Sequence, residues 1–129
     1  MSYYIHKLLQ GPTFEEAVEK TTQALSNEGF GVLTTIDMKA TLAKKLNVDF
    51  YNYKILGACN PTFAYKALQA EDKIGTMLPC NVIVQEREPG RVEISAVDPA
   101  ASMQAIENKD LIALANEVRN KLIRVIDAI

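Results

Sequence analysis

Residues 53–64 read Y-K-I-L-G-A-C-N-P-T-F-A, and the order of residue types along them decides the fold. An apolar, alternating run gives way at Cys59 to Asn60 and Pro61. Asparagine is a favoured helix N-cap and proline a favoured first helical residue. The stretch therefore predicts a strand over 50–58 that turns directly into a helix over 61–69. Alternation sends Tyr51, Tyr53, Ile55 and Gly57 to one face of that strand, and Asn52, Lys54, Leu56 and Ala58 to the other. A companion block, L-P-C-N-V-I-V over 78–84, holds the second of the chain's two cysteines, Cys80, where Pro79 leads into another strand.

Upstream, residues 3–9 alternate as a first strand, with Tyr3, Ile5 and Lys7 on one face and Tyr4, His6 and Leu8 on the other, before Gly11 and Pro12 end it. Thr13 with Glu16 forms a capping box, and Phe14, Ala17, Val18, Thr21 and Leu25 recur at helical spacing until Gly29. A second strand is expected over 30–36, after which Asp37 caps a short helix with Met38, Leu42 and Leu46 on one side. Downstream, 71–79 reads as an irregular loop. Residues 81–87 and 91–97 form a hairpin across Glu88, Pro89 and Gly90, and a helical turn starts at Asp98-Pro99 and runs through Ala105. A last helix follows Asn108 to Ile129. Its Leu111, Ala115, Val118, Leu122, Val125 and Ile129 fit a helix laid across a sheet; a dimer seam is the competing reading. The sum is one α+β domain over 1–129, a mostly antiparallel sheet with helices packed on one face.

The chain has 129 residues, 48% of them hydrophobic and 23% charged, which suits a single core. A formal net charge of −2 gives little attraction for phosphate backbones, so no nucleic-acid partner is expected. The opening M-S-Y-Y-I-H-K is too short and mixed for a signal peptide, and no apolar run approaches the roughly 20 residues of a membrane span. A soluble, cytoplasmic protein with reduced thiols and no membrane partner is the expectation. His6 is the only histidine, so a hydrolytic triad would have to use it. No C-x-x-C and no phosphate-cradling glycine motif is present.

Taken in order, T-T-I-D-M (34–38), I-L-G-A-C-N-P (55–61), Ala67-Leu68, Ile74-Gly75, L-P-C-N-V (78–82) and Val92-Glu93-Ile94 resemble a family of small bacterial and archaeal proteins known only as a domain of unknown function. The resemblance covers nearly the whole chain. It implies a fold like that of the Thermus TT-type hypothetical proteins and of the TATA-binding-protein (TBP) half, a TBP-like curved antiparallel sheet, and a homodimer. It implies no activity and leaves any cofactor unknown, and a fold shared with a DNA-binding half does not transfer that function.

The candidate site follows from the cysteine blocks. A thiol just ahead of a helix lies near unpaired amides and the positive end of the helix dipole, which favours a thiolate; a small buried filler is the competing role for Cys59. Lys54 would add to that effect only if the chain turned or a dimer partner supplied it, since five extended residues span about 16 Å. Thr34, Thr35 and Asp37 form a polar cluster at a strand-to-helix turn, suited to an anion or to simple capping, and Tyr51, Tyr53 and Phe63 are candidates to line a pocket at the cysteine end. Three functions compete. One is a homodimeric module binding a small molecule or metal ion in a groove bounded by Thr35, Asp37, Cys59, Asn60 and Cys80. Another is a thiol redox protein or enzyme with Cys59 reactive and Cys80 resolving. The third is a structural or regulatory dimer with buried cysteines. A metal would draw on Cys59, Cys80 and His6.

Overall fold

The computed structural model describes residues 2–129, so Met1 of the expected 1–129 domain lies outside them. Strands β1 (Tyr4–Gln10), β2 (Gly31–Asp37), β3 (Asn52–Cys59), β4 (Cys80–Glu88) and β5 (Arg91–Val97) form one open sheet in the order β1-β5-β4-β3-β2. Every neighbouring pair is antiparallel. The α+β class and the sheet-with-helices layout therefore hold. Helix α1 (Phe14–Asn27) joins β1 to β2, α2 (Met38–Leu46) joins β2 to β3, and α3 (Pro61–Ala70) follows β3. The short α4 (Pro99–Ser102) and the long α5 (Lys109–Ala128) close the chain.

The core follows the alternation of the strands. Leu56 and Ala58 of β3, Val82 and Val84 of β4, and Val92, Ile94 and Ala96 of β5 all point beneath α1 and α5, where Ala17, Leu25, Leu122 and Val125 meet them. Thr21 is buried among them because its hydroxyl donates back to the Ala17 carbonyl at 2.7 Å. The α5 positions from Val118 to Ile126 thus face the sheet, Leu111 and Ala115 pack against Ala67, Ile74 and Met103, and the stripe that could have been a dimer seam is internal.

Local signals set the helix starts. The Thr13–Glu16 capping box forms in both directions, and its bonds, first from the Thr13 backbone, hold the Glu16 carboxyl below its ordinary range. Asp37 accepts from Ala40 N, and Asn108 accepts from Asp110 N and Leu111 N. One expectation is corrected. The 71–79 segment is not irregular throughout: it holds a 3-10 turn, Ile74–Met77, whose Ile74 enters a second apolar cluster with Ala67, Met103, Leu111 and Ala115. The apolar side of α2 finds no core, and no residue of that helix is buried.

Candidate functional site

The two cysteine blocks come together because β3 and β4 are hydrogen-bonded neighbours. Ala58 pairs with Cys80, so the end of the first block lies against the start of the second. Gly57 makes this closeness feasible: a methyl there would stand 2.8 Å from Pro79 Cγ and would overlap the Thr34 hydroxyl. Asn60 then turns the chain, its carbonyl oxygen accepting from Phe63 N at 3.5 Å and its amide donating to the Glu28 carbonyl at 3.5 Å. One residue thereby ties the start of α3 to the end of α1.

Beneath this junction is an apolar hollow of about 40 Å³, walled by the sheet at Ala58, Cys59 and Cys80 and by Phe63, Ala67 and Val118 from the helices. Cys59 is half-buried and Cys80 buried; both are free thiols. Burial, with a smaller contribution from the neighbouring Cys59, pushes the Cys80 thiol up to about 11. Cys80 is therefore a protonated, apolar wall residue near neutral pH. An apolar cavity of this size suits a few carbon-like atoms better than water, which needs polar partners.

Other expected members are not gathered here. Asp37 pairs with Lys54 and Thr35 with Leu56, whereas Cys59 pairs with Gly31 at the opposite end of β2. The groove bounded jointly by Thr35, Asp37 and the cysteines is therefore corrected: strand length separates them, and Asp37 acts as the α2 cap. Lys54 sits 3.6 Å from Glu15 and over the Phe14 ring, away from Cys59. His6 lies on β1, the far edge strand, with Nδ1 2.6 Å from a Glu93 carboxylate oxygen. It does not join Cys59 and Cys80, and among the described residues no three His, Cys, Asp or Glu side chains cluster to hold a metal. Of the candidate aromatics, Phe63 lines the hollow, Tyr53 faces the other side of the sheet, and Tyr51 stacks on Phe50. The sequence did not disclose the helical walls at Met103, Leu111, Leu114 and Ala115; the spacing of the α5 residues marked them as core, but not which strand end they would meet.

Residues 6–129 match the family described as a domain of unknown function, DUF302. Among solved structures, the crystal structure of an uncharacterized conserved DUF302 protein from Bacillus stearothermophilus is similar to this chain, with 26% identity and a TM-score of 0.90, covering 99% of this chain and 98% of that one. No curated protein matches.

Proposed function

This chain belongs to the DUF302 family, and on that premise we propose that it is a binding module, taking a small apolar molecule or the apolar end of a larger one between its two cysteine blocks. One observation carries the reading. Segments 55–61 and 78–82, separated along the chain by α3 and the Ile74–Met77 turn, both contribute walls to a single apolar hollow. The finer subgroup, the TT-type proteins with both cysteine blocks, is part of the same proposal.

We further infer that the module is a homodimer joined through the β2–α2 edge. β2 is an edge strand and is exposed along most of its length, and α2 is nine residues long with no buried residue. Isolated helices that short are marginal in water. Leu33 (68% exposed) and Leu46 (65%), with Ile36 and Val48, leave apolar surface there for a second copy to cover. In light scattering the expected mass is twice that of the chain, falling to one chain in Leu46→Lys; a monomeric parent protein removes this part of the proposal.

The thiol-enzyme alternative needs Cys80 as resolving partner to Cys59, and a thiol pushed up to about 11 is a poor nucleophile near neutral pH. That weighs for binding. No helix is long and apolar enough to cross a membrane; a cytoplasmic setting, where both thiols stay reduced, fits the proposal. The test is a methyl-resolved NMR titration with benzene and 1-butanol. Shifts centred on Ala58, Ala67 and Val118, lost in Ala67→Val, are expected. Silence of those methyls toward both probes leaves the structural or regulatory dimer as the better reading.

A further inference from the structure

Resting on the binding role of the hollow, we propose that its ligand is a short straight-chain carboxylate, with the chain end inside and the anionic head on Lys66 and Lys121. Phe63 links the two parts. It lines the hollow yet is only half-buried, so its ring carries the apolar wall out to the surface. There the Lys66 ammonium lies 5.8 Å and the Lys121 ammonium 5.9 Å from the ring centre. Lys66 is one turn of α3 beyond Phe63, and Lys121 is one turn of α5 beyond Val118, itself a wall residue. Both cations therefore stand beside the apolar space rather than at a random place on the surface.

The charges at this rim are unbalanced. Lys66 makes no ion pair among the described residues, and Asp110, which shares a surface cleft with it, is not within pairing distance. Lys121 meets only Glu28, at 3.9 Å, and that carboxylate is held closer by Arg124, at 3.0 Å. Glu28 thus answers Arg124 and leaves both ammonium groups near Phe63 without a close counter-ion. The Lys121 side chain is 28% exposed, so water and salt screen its charge less than that of a free surface lysine. Inside, among the described residues, no charged side chain lines the hollow, and its volume of about 40 Å³ has room for about three water-sized groups. A chain end enters, and the head stays at the rim. Two ammonium groups answer to two carboxylate oxygens. The three acceptor oxygens of a phosphate would want further donors, and those nearby are spent: Arg124 on Glu28, the Phe63 N–H on Asn60, while Pro61 has none.

The test is a methyl-resolved NMR titration of the full chain with hexanoate, butyrate, hexan-1-ol and hexyl phosphate near pH 7. Shifts at Ala58, Ala67 and Val118 are expected, with hexanoate binding about tenfold tighter than hexan-1-ol and about fourfold tighter for each methylene it has over butyrate. The hexanoate advantage should fall toward one in the doubly substituted Lys66→Gln, Lys121→Gln chain, checked for an unchanged melt, and at high salt. Equal binding of hexanoate and hexan-1-ol, an advantage that survives both lysine substitutions, or tighter binding of hexyl phosphate overturns the carboxylate assignment while the apolar hollow stands. If neither these compounds nor benzene moves the three methyls, the hollow itself fails and the assignment with it.

Discussion

The two faces of β3, β4 and β5 are built from alternate residues of the same strands and differ in almost every physical respect. Leu56, Val82 and Ile94 lie under helices, on the side that ends at an apolar hollow of about 40 Å³. Tyr53, Gln85 and Glu93, on the other parity of each strand, line an open trough about ten times larger that is rich in polar groups. Strand parity, more than motif, thus divides this molecule's surfaces: a cysteine block belongs to the hollow by where its strand ends, and a tyrosine belongs to the trough by its place in the alternation.

The largest expected effect tests that division in the core. Leu56→Ala removes a fully buried side chain and should cost about 3 kcal/mol in urea unfolding, whereas Ile55→Ala, on the trough side, should cost about 1 kcal/mol or less. Equal losses would break the contrast. Gly57→Ala should cost about 2 kcal/mol, because the new methyl meets Pro79 at 2.8 Å and the Thr34 hydroxyl; adding Thr34→Ala should restore part of it. No loss would mean that the two cysteine blocks are not closely apposed.

The next effect depends on pH. The Cys80 thiol is raised from 9.0 to about 11 in the folded chain. The folded state then keeps its proton longer than the unfolded state, so the associated stability is present below pH 9 and declines as pH rises through 11. On the order of 2 kcal/mol should disappear across that window, and Cys80→Ala should flatten the slope. The smallest effect is kinetic: iodoacetamide at mildly alkaline pH should modify half-buried Cys59 well ahead of buried Cys80, as read by mass spectrometry. Similar rates would contradict the placement of Cys80 in the wall.

Much of the fold was legible in the sequence because its signals are local. The Thr13–Glu16 box, the Asn60-Pro61 start of α3 and the turn at Glu88-Pro89-Gly90 each act within a few residues. The alternation of β3 also put Leu56 and Ala58 together on one face, and the structure shows that face to be the one against the core. The site was harder to read because its members meet through register. Nothing near Asp37 says that it will pair with Lys54, far from Gly31 and Cys59, and nothing near His6 says that β1 will lie at the far edge of the sheet. The trough was missed for the same reason: Gln85, Glu93 and Tyr53 form a row only once three separate strands are aligned.

The most direct test of the apolar hollow is a crystal of the protein held under xenon pressure, since xenon enters small dry apolar cavities. A xenon atom is expected between Ala58, Ala67, Cys80 and Val118, and none on the tyrosine-lined face. An empty hollow, or xenon bound only on the open face of the sheet, would contradict the division of the two faces drawn above.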